Sequence, residues 1–327
     1  MPKAKKKGRS RASKRGTDGG LVSMLGARSV ERTTAHVARL VSEKEFESED
    51  ALNAYLQSII DAEVIAPAVT PLEQAQDLMY DAWEAPSAKR GVALARKALS
   101  ICPDCADAYV LLAQESADSL EEARDLFAQG VAAGERALGP EAFRECEGHF
   151  WGFVETRPYM RARQGLAQCL WWLGEREAAV AHFQEMLRLN PNDNQGIRYT
   201  LAACLLELER DSELVELLGR FKDEPTAAWA YTRALADFRR RGESSRAAQL
   251  LTRAIKVNPH VPPFLLGKRR LPRHLPDSIG FGDESEAIAY VAEFGEGWHG
   301  TPGAFAWLAA SWEALPSGGS PSAQGKR

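Results

Sequence analysis

Three prolines, Pro191, Pro225 and Pro259, stand 34 residues apart. A fixed stride of that size marks a chain built by stacking one small unit, and nothing else in the sequence narrows the fold as far. With each proline at position 32, units begin at Met160, Asn194 and Ala228 and further columns come into phase. Position 8 holds Ala167, Leu201 and Leu235; position 11 holds Leu170, Cys204 and Phe238; position 24 holds Phe183, Leu217 and Leu251. Position 20, where two helices must come close, is Ala179 and Ala247, with Glu213 the one misfit. Arg161 to Leu173 and Glu175 to Leu189 each carry apolar residues at helical spacing, with Gly174 between them as the turn residue, and Gly242 repeats that layout. A single pair of this kind leaves one apolar face open, so neighbouring pairs must stack to cover it.

A further unit fits Leu72 to Cys105, with Leu78, Gly91, Ala95, Ala98 and Pro103 in phase. The next opens on Tyr109, Leu112 and Ala113, but its second helix arrives early at Glu122 and Phe127, and the register is lost from Val131 to Tyr159. The pattern resembles the tetratricopeptide repeat, in which small residues mark the helix crossing and a proline closes the second helix. The resemblance implies an all-α, right-handed helical solenoid. The expected plan is a disordered basic arm over 1–20, an N-terminal helical cap over 29–65, and two repeats over 72–130. An insertion over 131–159 precedes three repeats over 160–260, a proline-rich turn and C-terminal cap over 261–315, and a low-complexity tail over 316–327.

The caps are read from local signals. Ser48 before Glu49 and Asp50 predicts a helix through Ile60 lying over the first repeat. Pro262, Pro263, Pro272 and Pro276 exclude a regular helix from Val261 to Asp277. Helix resumes over Asp283 to Phe294, then from Thr301 as cap and Pro302 as first residue through Trp312.

Charge is unevenly spread. The chain of 327 residues carries a formal net charge of −4, yet its first 20 residues hold eight Lys/Arg against Asp18. That arm, with Lys5, Lys6, Lys7, Arg9 and Arg11 at its centre, reads either as a solubilising tail or as a contact for phosphate backbones or anionic lipid. No apolar run reaches membrane-spanning length, and five cysteines at low density suit a reducing compartment, so the expectation is a cytoplasmic protein with no membrane partner.

Beyond the repeats, Asp104–Ala113, Gly148–Gly152, Glu155–Arg163 and Leu189–Arg198 resemble a bacterial tetratricopeptide family distantly similar to the suppression-of-tumorigenicity repeat proteins. The likeness spans Leu72 to Trp307 and implies no known chemistry. The superfamily's inner groove is lined by positions 2, 5, 6, 9, 12 and 13 of each first helix. Carried over, these positions include Arg161, Gln168, Trp171 and Trp172, then Arg198 and Tyr199, then Trp229 and Arg233. Arginine forks match carboxylates, and Trp and Tyr give large contacts at low entropic cost, so the groove is expected to hold a protein or peptide of acidic character. The alternative is that the tryptophans pack between repeats and the arginines pair with acids of neighbouring helices. The superfamily's carboxylate clamp for chaperone tails is matched only at Arg233, among Gln164, Gln168, Tyr199, Trp229 and Arg233, which argues against that ligand. A second candidate is the insertion, where His149, Trp151, Arg157 and Tyr159 form either a binding loop or, with Phe150 and Phe153, a plug for the broken register.

Chemistry finds little purchase. Cys102 and Cys105 pair with Cys146 and His149 only across some 40 residues, against the roughly 12–20 usual between zinc ligand pairs, so no metal or cofactor is expected. No phosphate loop, nucleophile elbow or His-Glu-x-x-His pair occurs, and the chain reads as a non-enzymatic scaffold. Nucleic-acid association through the arm is the alternative function.

Overall fold

The computed structural model describes residues 30–41, 44–61 and 68–315. Every regular element among them is helical. Helix α1 covers 30–41, and α2 covers Glu49–Asp61. Five antiparallel pairs follow. They are α3 (Pro71–Trp83) with α4 (Ala88–Ile101), α5 (Ala106–Glu115) with α6 (Leu120–Glu145), α7 (Arg157–Leu173) with α8 (Arg176–Leu189), α9 (Ile197–Glu207) with α10 (Asp211–Arg220), and α11 (Ala227–Arg241) with α12 (Ser245–Val257). The short α13 (Val261–Leu265), α14 (Glu284–His299) and α15 (Ala304–Glu313) complete the described residues. Pro103, Pro191, Pro225 and Pro259 each lie in the turn after a second helix. The fold is a tetratricopeptide-like helical solenoid.

The phased columns are the core. Ala167, Leu201 and Leu235, Phe183 and Leu251, Ala179 and Ala247 are all buried. At Gly91 the close approach is measurable: a Cβ there would stand 2.9 Å from the carbonyl oxygen of Ala82, so only glycine lets α3 and α4 meet. In the fourth pair Leu214 fills the crossing and the misfit Glu213 turns outward, bonded by Arg210 at 2.6 Å and Gln184 at 2.8 Å. Hydroxyl caps set several helix starts. Thr70 and Glu73 form a reciprocal capping box ahead of Pro71. Ser87, Ser119, Thr226 and Ser244 accept from the first turns of α4, α6, α11 and α12.

Four local readings are corrected. Residues 131–138, expected in the insertion, continue α6, which breaks only at Gly139 (φ 64°) before Pro140 restarts it. Ser48 does cap α2, through the Ala51 amide at 3.2 Å, but α2 stays largely exposed and α1 covers the first repeats instead. A helical turn, α13, forms inside the proline-rich stretch because Pro262 sits in its first turn, where a missing amide proton costs nothing. The last helix starts at Ala304 after Gly303, since the Thr301 hydroxyl is spent on the Gly297 carbonyl at 2.7 Å. The basic arm and the 316–327 tail lie outside the described residues. No described helix is long and apolar enough to cross a membrane.

Candidate functional site: the face lined by the first helices

The first helix of each pair presents a side to the same face of the solenoid, and both terminal additions lie on it. Helix α1 packs against α3 and α7, and α14 packs against α9 and α11. The face expected to hold a partner therefore carries two helices of its own chain.

Arg161, in the second turn of α7, is the centre of the α1 seat. Its guanidinium reaches both carboxylate oxygens of Glu31 on α1 at 3.0 Å and Asp107 of α5 through Nε at 2.8 Å, with a second bond from Nη2 to Asp107. The Trp83 ring lies 5.4 Å from the guanidinium carbon. Gln76 of α3 completes the coordination of Asp107 at 2.8 Å. Glu31 is 4% exposed and Asp107 is fully buried. Burial acts to lower the Arg161 pKa, but Asp107 and Glu31 outweigh it and hold the guanidinium above its ordinary value. Arg157, one turn earlier, adds a contact to Glu31 at 3.4 Å and donates to the Trp151 carbonyl at 3.0 Å. On its other flank α1 offers cations to α3. Arg32 meets Asp81 at 3.0 Å and Glu84 at 3.8 Å, His36 lies 3.7 Å from Asp77, and Arg39 meets Asp77 at 3.0 Å and Glu73 at 3.3 Å. Beneath α1 a cavity of about 230 Å³ opens, with Leu72, Tyr80, Leu138, Val154 and Tyr159 in its wall and Ala35 of α1 facing it.

The other expected groove residues separate into built-in and exposed. Arg198 bonds Glu224 at 2.7 Å and Asp193 at 3.0 Å and lies 4.5 Å from the centre of the Tyr199 ring. Tyr199 in turn meets Trp229 edge to face at 5.3 Å. Trp229 is completely buried, so the structure removes it from any partner surface. Arg233 donates to the carbonyls of Leu218 at 2.8 Å and Phe221 at 3.3 Å, closing the end of α10. Arg220 and Arg239 do the same one repeat back, onto Leu187 and Leu206. These arginines join repeats because helix C-termini leave orphan carbonyls that a cation satisfies. Gln168 is exposed, and Trp172 is 74% exposed, while Trp171 is half-covered by Arg176 at 4.8 Å.

The insertion residues divide in the same way. Phe150 is buried against Phe143 and Tyr159, with ring centres 5.1 and 5.9 Å away, and Tyr159 is itself buried and held by Arg163. Tyr159 thus packs inward and forms part of the wall of the cavity beneath α1. The Thr156 hydroxyl pins the loop by donating to the Phe153 carbonyl at 2.9 Å. Trp151 is half-buried under Arg157, 5.5 Å away, and His149 is exposed and apart from the α1 seat. The arm residues Lys5, Lys6, Lys7, Arg9 and Arg11 lie outside the described residues.

Glu31, Asp107 and Gln76 are the site members that sequence reasoning missed. Asp107 carried one signal, an acid at the start of an otherwise apolar first helix; Glu31, alone among basic and hydroxyl residues, carried none. The five cysteines are unpaired, and burial pushes the Cys105 thiol up to about 12, which leaves it protonated and unreactive. Among the described residues no three His, Cys, Asp or Glu side chains gather as a metal set.

These features define a helical-repeat protein that lays helices of its own chain on its first-helix face. The profile of the ST7 protein family matches residues 67–318, and the chain belongs to that family. It is 31% identical over 271 residues to the suppressor of tumorigenicity 7 protein-like proteins of Bos taurus and Homo sapiens, covering 74% of this chain and 47% and 46% of theirs. The ST7 homolog of Caenorhabditis elegans is 29% identical over 282 residues, with 72% of this chain and 50% of that protein covered. The chain spans about half the length of these curated relatives. They are animal proteins, and the expected bacterial grouping finds no support in them. Among solved structures, YrrB, described as a TPR protein with an unusual peptide-binding site, aligns over 62% of this chain and 91% of its own at 19% identity, with a TM-score of 0.41.

Proposed function

We propose that the chain is a non-catalytic interaction scaffold that receives a helical segment presenting a carboxylate, from a protein partner, on the first-helix face of its first three repeats. The observation that supports this is the Arg161 fork, which grips the Glu31 carboxylate of α1 with both terminal nitrogens while Asp107 and Gln76 hold it in place. A seat preorganised in this way takes a carboxylate without first ordering its own side chain. In repeats four and five, by contrast, Arg198 is paired with Asp193 and Glu224, and Arg233 and Arg239 are bonded to carbonyls of the preceding repeat. A reducing, cytoplasmic setting suits the five free thiols.

The test uses a labelled peptide of residues 28–44 and the full chain carrying Glu31→Gln with Arg39→Gln, which loosens α1 from its seat. Saturable binding that weakens with salt and disappears on adding Arg161→Gln to the receptor supports the reading. Absence of binding, or binding indifferent to Arg161→Gln, overturns it.

A further inference from the structure

The seat of α1 is better shaped for a different helix than for α1. Glu31, Ala35 and Arg39 lie four residues apart and so share one helix face. The outer two fix the register by charge: Glu31 on Arg161 and Arg157, Arg39 on Asp77 and Glu73. Between them lies a largely apolar cavity whose wall also carries Arg39, Glu73, Gln76, Asp104 and Glu155. Ala35 touches Tyr80 and Val154, yet the cavity of about 230 Å³ remains open between it and Leu72, Leu138 and Tyr159. An apolar hole next to a methyl group is surface that loses its packing partners, and a larger side chain at that position would restore them.

Helix α1 is held by charge more than by apolar packing, with Ala35 its one buried apolar residue among those described. Its other cationic contact, Arg32 with Asp81 and Glu84, is partly exposed, and pairs of that kind contribute little. Covalent attachment to the same chain gives α1 a high effective concentration at the seat whatever its intrinsic affinity.

Building on the function proposed above, we infer that this seat is the docking site of a partner helix with a glutamate, a large apolar residue four positions later, and an arginine or lysine four positions after that. Helix α1 is its weaker, tethered competitor. The partner's glutamate takes the Arg161 fork, its apolar residue fills the cavity, and its basic residue faces Asp77 and Glu73. Occupation by the partner expels α1, so capture and release of the N-terminal segment are one event.

Three labelled peptides of residues 28–44 test this against the full chain: native, Ala35→Leu, and Ala35→Leu with Glu31→Gln. The Ala35→Leu peptide is expected to bind at least tenfold tighter than the native one, and the added Glu31→Gln to cancel that gain. Placing Ala35→Leu in the full chain itself should tighten α1 and weaken peptide capture by a similar factor. If the native peptide binds the Glu31→Gln, Arg39→Gln chain but Ala35→Leu gains nothing, the inference fails and the scaffold reading stands. If no peptide binds that opened chain, both fail. If the full chain dimerises in sedimentation, and Ala35→Leu strengthens the dimer without raising peptide affinity, the occupant is a second copy and the partner helix is wrong.

Discussion

Both ends of the solenoid lay a helix across its first helices, and they use opposite adhesives. At the C-terminal end α14 buries Ala287, Ile288, Tyr290, Phe294 and Trp298. Tyr290 stacks on Phe294 at 5.0 Å and Trp298 on Trp307 at 6.4 Å, with Phe238 of α11 stacked on Trp307 at 4.4 Å. Its one buried acid, Glu286, is fully used, accepting from the Ala227 and Gly282 amides and from Asn258 at 2.8–2.9 Å. At the N-terminal end α1 brings Ala35 as its buried apolar residue and meets its neighbours through Glu31, Arg32, His36 and Arg39. Apolar burial on the scale of α14 is worth several kcal/mol and is indifferent to salt, whereas the half-exposed pairs of Arg32 contribute about 1 kcal/mol or less and are screened, leaving the buried Glu31–Arg161 contact as the main charged hold on α1. One helix is part of the core, and the other is fastened to the surface in a way that solution conditions can loosen.

The largest test of that contrast is at α14. Trp298→Ala removes a fully buried ring and leaves the Tyr290 hydroxyl without its 2.8 Å donor. A loss of about 3–5 kcal/mol in unfolding free energy is expected, read by denaturant titration. Gly297→Leu should act on the packing of α14 against α9, because even a Cβ there would stand 2.2 Å from the Leu206 side chain. If either variant leaves global stability unchanged while freeing only α14, the C-terminal helix is as detachable as α1 and the comparison breaks.

The sequence carried the repeat because the repeat is local. Prolines after second helices, alanines at crossings and glycine turns each follow from one unit's own geometry, and they recur. What covers the first-helix face is not local: Arg161 is as well suited to a partner's carboxylate as to Glu31, and nothing in a one-dimensional spacing says that residue 31 returns to residue 161. The same limit explains Arg198 and Arg233. Their positions were legible, but whether a guanidinium at those positions meets solvent or the end of the neighbouring α10 depends on how tightly consecutive pairs stack. Trp229 was placed at the groove by register, yet Tyr199 and Phe221 close over it from the preceding repeat.

A smaller, sharper effect is expected at the N-terminal end. Glu31→Gln should weaken α1 docking by about 2 kcal/mol, since a charge-assisted bidentate contact becomes a neutral one while Arg161 keeps Asp107. Amide exchange over 30–41 should then quicken roughly 30-fold with the melting transition of the repeats unmoved. Raising ionic strength from 0.1 to 1 M should accelerate exchange in 30–41 of the unmutated chain and leave α14 protected. Equal acceleration at both ends would mean that charge does not distinguish them.

The smallest expected effect is a pH dependence confined to α1. Burial pulls the His36 pKa below 6.5, with Arg39 and Arg32 adding to the shift and Asp77 opposing it. A histidine lowered in the docked state binds its proton more readily once α1 is released, so docking is fully favoured above pH 6.5 and weakens as pH falls through that value toward the lowered one. The Nε2 atom makes no hydrogen bond and its closest acid, Asp77, is already shared with Arg39, so protonation finds no unoccupied carboxylate to offset the lost burial. Exchange over 30–41 should therefore rise between pH 7.5 and 5.5 in the unmutated chain and stay flat in His36→Gln, with α14 unaffected in both. A slope that survives His36→Gln would assign the acid sensitivity to the carboxylates of α3, and α1 would then be held by Asp77 and Asp81 more than by the Arg161 fork.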